Sequence, residues 1–150
     1  IVSKLLNLFN PKNIYFGEKD YQQVLIIKDL INIEKIKVKL IICPTVREKN
    51  GLALSSRNKL LTSNQKKSSS IIYKSLKFIA ENFEKSDFKS IRKNIINKIE
   101  EIKSFKVEYL EIADATTLEI CDKINPKKSH RAFICVSINE VRLIDNILLN

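Results

Sequence analysis

Glycine is almost absent from this chain: only Gly17 and Gly51 occur in 150 residues. Each lies in a polar loop that follows a short apolar run typical of a β-strand. Because glycine adopts backbone conformations that side chains exclude, we expect both positions to require such a conformation. The two loops also concentrate Lys, Arg, Ser and Asp, residue types that bind phosphate and ribose. This combination predicts a nucleotide-binding site.

The formal net charge of +10 points at first to a nucleic-acid-binding protein. However, 22 of the 27 basic residues are Lys, spread along the chain together with abundant Ile and Asn. Such a bias is typical of an AT-rich coding sequence, whereas nucleic-acid surfaces more often cluster Arg with exposed aromatic side chains. No apolar run approaches the length that crosses a membrane. We therefore expect neither nucleic acid nor membrane among the partners.

The Cys and His residues do not form a pattern typical of a metal site. Cys43, Cys121 and Cys135 lie far apart without CxxC spacing, which predicts reduced, buried side chains and a cytoplasmic protein. His130 is the single histidine and lies in a polar stretch, so we expect it in a surface loop. The sequence thus predicts no metal ion held by protein side chains.

The spacing of apolar residues predicts two domains. In the first, a helix ends near residue 9, and a strand–helix–strand pattern over 14–42 indicates a parallel pair with a crossover helix, the unit of a doubly wound sheet. In the second, helices begin near residues 62 and 86 and precede strands over 107–112, 132–138 and 141–144. The last two strands form a predicted hairpin, and the domain boundary lies near residue 60. Because the chain begins within a helical pattern, we expect it to be the downstream part of a longer protein.

The first loop (residues 16–23) lies between a predicted strand and a predicted helix. The amides of a first helical turn attract anions, and Lys19 adds a charge suited to phosphate. Asp20 accepts hydrogen bonds either from ribose or, taken alone, from the helix amides that it caps. Gln22 or Gln23, one turn into the helix, offers an amide to a carboxylate or hydroxyl. Alone, this loop is a weak signal.

The second loop (residues 43–58) carries a stronger signal. Ser55, Ser56 and Arg57 supply two hydroxyls and a guanidinium, which together suit a departing pyrophosphate. The alternative is an ordinary turn that leads into the next helix. Against that alternative, the apolar run 52–54 predicts packing against a flat group such as a purine.

These loops resemble one known family. The strings FGEKDYQQ and PTVREKNGLALSSRN, in this order and separation, are similar to those of the pantoate–β-alanine ligase (pantothenate synthetase) family. The C-terminal segments YLEIADATTL and RLIDN also resemble that family, so the resemblance spans the chain. It implies the C-terminal portion of a Rossmann-like nucleotidyltransferase-type α/β domain, residues 1–60, followed by a small α+β lid domain with antiparallel strands, residues 61–150.

The resemblance also implies an activity and a set of site residues. It implies an AMP-forming ligase, commonly a homodimer, that joins pantoate to β-alanine with ATP and Mg²⁺ through pantoyl adenylate. Gln23 matches a pantoate-binding glutamine, while Lys19 and Arg57 match phosphate-stabilising residues. The positions that match ATP-binding residues are Gly17, Glu18, Lys19, Asp20, Val46, Leu54, Ser55, Ser56 and Arg57.

The family's phosphate-binding histidines have no counterpart here, and His130 does not replace them. We therefore expect the catalytic histidine upstream and no activity from this chain alone. Three other functions remain open: another adenylyl- or nucleotidyltransferase, a basic nucleic-acid-binding module, or a non-catalytic remnant that only dimerises.

Overall fold

The computed structural model describes residues 1–83, 87–121 and 125–149. The chain forms two compact units, Ile1–Thr45 and Val46–Asn150. The expected boundary near residue 60 differs from this division, and the assignment of residues 46–60 to a nucleotide-binding domain stays a prediction. Ser86, which belongs to the predicted start of a helix, lies outside the described residues.

The first unit is a parallel strand pair with two helices. Its elements are α1 (Val2–Phe9), β1 (Asn13–Gly17), a 3₁₀ turn (Glu18–Asp20), α2 (Tyr21–Ile33) and β2 (Lys39–Cys43). β1 and β2 pair in parallel, and α2 joins them with Val24 and Ile27 buried. α1 ends at Asn10, whose φ of 40° is left-handed, a conformation that Asn tolerates better than most residues. The predicted crossover unit is confirmed.

The second unit packs helices on an antiparallel sheet. Its elements are a 3₁₀ helix (Ser56–Leu60), α3 (Ser63–Ser68), α4 (Ser70–Asn82), α5 (Phe88–Glu100), β3 (Phe105–Asp114), β4 (His130–Ile138) and β5 (Val141–Leu149). The strand order is β3-β4-β5, and β4 and β5 form the predicted hairpin. The mixed α/β class, with a parallel pair and a separate antiparallel sheet, is confirmed.

Apolar stripes on α4 and α5 meet the inner face of this sheet. The core residues include Ile72, Leu76 and Ile79 of α4, Ile91, Ile95 and Ile99 of α5, and Leu110, Ile134, Val136 and Ile138 of the strands. Helix boundaries follow local hydrogen bonds: Thr62 and Gln65 form a capping box at α3, and Asp87 caps α5. The helix predicted to begin at residue 62 is divided at Ser69, whose hydroxyl donates to the Gln65 carbonyl at 2.7 Å.

The prediction of a surface-loop histidine is wrong. His130 is the first residue of β4, pairs with Asp114 and Leu149, and is 2% exposed. The polar residues that precede it hid this strand start, which lies two residues before the predicted one. Cys135 is buried as predicted, while Cys43 and Cys121 are half-buried; all three are free thiols.

Within the described residues, no helix is both long enough and apolar enough to cross a membrane.

Candidate functional site

The first loop lies at the carboxyl end of β1 and at the start of α2. Glu18–Asp20 form a single 3₁₀ turn between the strand and the helix. Asp20 occupies the N-cap position of α2, yet its side chain accepts no cap hydrogen bond and is exposed. The capping alternative for Asp20 is therefore wrong, and its carboxylate points to solvent. Gln22 and Gln23 are exposed, and Lys19 is half-buried.

Gly17 does not have the conformation expected of it. Its φ of −73° and ψ of 131° are ordinary extended values, and a Cβ built there meets nothing within 4 Å. The prediction that Gly17 needs a glycine-only backbone is wrong, because the rarity of glycine in the chain says nothing about one position's φ. Gly17 lies exposed at the end of its strand.

Residues 46–54 of the second loop form a small hairpin, here called the 46–54 hairpin. Arg47 and Ala53 form an antiparallel bridge, and the Leu54 amide donates to the Val46 carbonyl at 2.8 Å. Gly51 lies at its tip with φ of 92°, a backbone angle that residues with a side chain rarely adopt. A Cβ there would stand 2.8 Å from Cδ1 of Tyr73. The expectation for this glycine is confirmed.

The apolar run of the hairpin divides between two environments. Leu52 and Ala53 are both 3% exposed, and Leu52 belongs to the core of the second unit. The expectation that the whole run packs against a ligand is therefore wrong for these two residues. Leu54 and Val46 are 56% and 67% exposed and adjacent through their backbone hydrogen bond. They form an exposed apolar pair.

The residues that follow the hairpin present polar groups to solvent. The Ser55 hydroxyl accepts from the Arg57 amide at 3.2 Å, which caps the 3₁₀ helix while its own proton stays available to donate. Ser56 and Arg57 are exposed. The Arg57 guanidinium donates to the carbonyl of Arg142 on β5 at 3.2 Å.

The Arg142 side chain is itself held by a charge on β3, the strand on the far side of β4. Its guanidinium pairs with Glu108, with hydrogen bonds from Nε at 2.8 and 2.9 Å. The hydrogen bonds from Arg142, and then from Ser137, lower the pKa of Glu108 to about 2. Glu108 is therefore ionised at neutral pH and binds the Arg142 side chain through charge-assisted hydrogen bonds.

The buried Asn58 ties the 3₁₀ helix to the hairpin. Its Nδ2 donates to the Ala53 carbonyl at 3.1 Å and to Glu48 Oε1 at 2.9 Å. Glu48 also pairs with Lys66 at 2.8 Å. Lys66, followed by Asn58, lowers the pKa of Glu48. Asn58 is 3% exposed, so its role is structural.

Arg47 makes the contacts that anchor the hairpin. Nη1 and Nη2 donate to the two carboxylate oxygens of Asp145 at 2.5 and 3.0 Å, and Nη1 also donates to the Gly51 carbonyl at 3.1 Å. The guanidinium stacks over the Tyr73 ring, 3.7 Å from its centroid. The side chains of Arg47 and Asp145 are 18% and 2% exposed. Removing one partner of such a pair costs roughly 3–5 kcal/mol, because the other charge stays buried.

Sequence reasoning missed the roles of Asp145 and Tyr73. Asp145 lies 98 residues after Arg47, and nothing local in the sequence joins the two. One signal was present: Asp145 and Asn146 interrupt an apolar run, which ended the predicted strand at residue 144. Such polar residues inside a strand pattern indicate buried partners.

Comparison with known proteins finds one family along the whole chain. A family model described as Pantoate-beta-alanine ligase matches residues 1–148. The pantothenate synthetase of Flavobacterium psychrophilum is 40% identical over 149 residues, covering 99% of this chain and 53% of that protein. The pantothenate synthetase of Azobacteroides pseudotrichonymphae is 44% identical over 147 residues, covering 98% and 52%. The chain thus spans about half the length of these relatives.

Solved structures agree with the sequence matches. Pantothenate synthetase from Thermus thermophilus has a TM-score of 0.87 and 31% identity, covering 99% of this chain and 53% of that chain. Pantoate-beta-alanine ligase from Francisella tularensis, in complex with beta-gamma ATP and beta-alanine, has a TM-score of 0.66 and 37% identity, covering 98% and 47%.

The two glycines should respond differently to alanine. Gly51→Ala places a Cβ on a left-handed backbone against Tyr73, so we expect the free energy of unfolding to fall by about 2 kcal/mol or more. Gly17→Ala is the matched control, because its backbone is extended and open, and should change that energy by about 0.5 kcal/mol or less. Urea unfolding followed by circular dichroism measures both; equal losses would contradict this reading of Gly51.

Proposed function

Because the chain belongs to the pantoate–β-alanine ligase family, we propose that it serves the ATP-dependent condensation of pantoate with β-alanine. In the first step the pantoate carboxylate attacks the α-phosphorus of ATP, giving pantoyl adenylate and pyrophosphate. In the second, the β-alanine amine attacks the acyl carbon and displaces AMP, giving pantothenate. The observation that carries this proposal is that both loops matched to the family expose polar groups suited to a nucleotide and its phosphates.

We propose that the first loop binds ATP and pantoate. Gly17, Glu18 and Lys19 lie where β1 meets the start of a helix, a position that favours phosphate. Asp20 is assigned to the ribose hydroxyls. Its side chain is exposed and makes no helix-cap hydrogen bond, which supports this assignment. Gln23 is assigned to pantoate, and its exposed amide offers both donors and an acceptor.

We propose that the second loop binds adenine and the phosphates. The exposed pair Val46 and Leu54 provides an apolar surface for a purine face. Ser55, Ser56 and Arg57 follow directly and donate to phosphate oxygens. Arg57 is assigned to the charge that develops on the departing pyrophosphate, and Lys19 of the first loop is assigned separately to phosphate. These residues orient and stabilise; none of them exchanges a proton with the substrates.

We further propose that Mg²⁺ enters with the nucleotide. The described residues contain no group of three or more His, Cys, Asp or Glu side chains that could hold a metal ion. A magnesium ion that is bound mainly through substrate phosphates and water does not need such a group. We also propose a homodimer, which the family resemblance implies, and a cytoplasmic location, which the cysteine pattern predicts. The free thiols fit a reducing compartment.

Arg57 is the residue whose loss should affect adenylation most. In a protein of family length that carries this segment, Arg57→Ala should slow pyrophosphate release by about a hundredfold or more, since a charge-stabilising donor is removed. Arg57→Lys should recover only part, because the two-pronged guanidinium is lost. Lys59→Ala, on the same exposed 3₁₀ helix, is the matched control. Unchanged release by Arg57→Ala would refute the assignment.

Gln23 should affect one substrate selectively. Gln23→Ala should raise KM for pantoate about tenfold and leave KM for ATP nearly unchanged, since a hydrogen bond to a charged group is lost. Gln22→Ala is the matched control, because the neighbouring residue points about 100° away around the helix. Steady-state kinetics with each substrate varied gives both constants. Equal rises in KM for pantoate and for ATP would indicate that Gln23 supports the fold or the nucleotide loop and does not bind pantoate selectively.

A further inference from the structure

We propose that Asp145 is a positioning residue for adenylation: by holding Arg47, it fixes the 46–54 hairpin and thereby the place of the ATP-binding residues on the second loop. This inference rests on the proposed function. It concerns a residue on the last strand of the chain, far in sequence from the loop on which it acts.

Three contacts hold the Arg47 guanidinium in place. It is held by the Asp145 carboxylate on β5, the Tyr73 ring on α4 and the Gly51 carbonyl at the hairpin tip. The Asp145 carboxylate also accepts a hydrogen bond from the backbone N–H of Asn146 at 2.8 Å, and its side chain is 2% exposed. Both charges are thus satisfied by each other and by fixed dipoles. Loss of either charge leaves the other without its oppositely charged partner.

The position of Arg47 in turn constrains the exposed apolar pair, Val46 and Leu54, which is proposed to contact adenine. Arg47 bridges Ala53 across the hairpin, and the adjacent residues Val46 and Leu54 are joined by a 2.8 Å hydrogen bond. A shift of Arg47 therefore shifts both exposed apolar side chains together.

Asn58 links the hairpin to Ser56 and Arg57, which are proposed to bind phosphate. Its amide group donates to the Ala53 carbonyl and to Glu48, both on the hairpin. Asn58 belongs to the 3₁₀ helix that also carries Ser56 and Arg57. Arg57 has its own contact on β5, the Arg142 carbonyl, three residues before Asp145. β5 thus supports the second loop at two points, one buried and one exposed.

The test uses Asp145→Asn in a protein of family length that carries this segment. Asparagine keeps the shape of the side chain and removes the charge, so the guanidinium loses its bidentate partner. We expect KM for ATP in pyrophosphate release to rise about tenfold, and KM for β-alanine to stay unchanged. Asp145→Glu, which restores the charge on a longer side chain, should recover part of the loss. Hydrogen exchange at the Leu54 amide should accelerate, while the amide of the buried Ile95, inside α5, stays protected.

The matched control is Glu111→Gln, which removes the charge from another acid paired with an arginine, Arg92, in the same unit. It should leave KM for ATP unchanged. If Asp145→Asn does not fold, the double variant Arg47→Met/Asp145→Leu removes both charges together and should still raise KM for ATP, because the bidentate geometry is lost.

The outcomes separate the two proposals. A folded Asp145 variant with unchanged KM for ATP and unchanged exchange at Leu54 would overturn the positioning role. Equal changes in the KM values of ATP and β-alanine would also overturn it, since they indicate a general structural loss. If the unsubstituted protein shows no pantoate-dependent pyrophosphate release, the proposed function fails, and faster Leu54 exchange in Asp145→Asn would still support control of the hairpin by Asp145.

Discussion

The second unit depends on a charge pair buried between its hairpin and its last strand. Arg47 and Asp145 join residues 98 positions apart through a bidentate contact at 2.5 and 3.0 Å. A buried pair is expensive to desolvate, so it adds little net stability compared with apolar packing. Its physical effect is to tie the hairpin to β5 through directional hydrogen bonds. Gly51 and Tyr73 complete these contacts, because the guanidinium packs between a carbonyl and a ring.

A fixed hairpin matters for the chemistry that the chain is proposed to serve. Formation of an acyl adenylate needs a carboxylate held in line with the α-phosphorus and donors placed where charge develops. The second loop offers such donors from Ser55, Ser56 and Arg57, next to the exposed apolar pair Val46 and Leu54. Donors that are already in place need no reorganisation during the reaction. Arg47, the anchored residue, and the proposed binding groups thus belong to one short segment, residues 46–57.

Local sequence signals predicted much of this molecule, and long-range contacts account for most of the errors. Apolar spacing located the helices and the β4–β5 hairpin because each pattern reflects one buried face. The left-handed Gly51 was predicted correctly, whereas the same argument failed at Gly17, whose backbone is extended. His130 and Asp145 were misread because polar residues inside a strand look like loop until their partners are known. The side-chain partner of Asp145, Arg47, lies 98 residues away in the sequence, and the strands that flank His130 place it opposite Asp114 and Leu149.

A double-mutant cycle on Arg47 and Asp145 tests the central claim most directly. Urea unfolding of Arg47→Met, Asp145→Leu and the double variant gives the coupling free energy between the two side chains. Each single variant buries an unpaired charge, and the double variant buries none. We expect the double variant to be more stable than the sum of the single losses implies, by about 1–3 kcal/mol. Additive losses, within about 0.5 kcal/mol, would show that the pair does not fix the hairpin to β5.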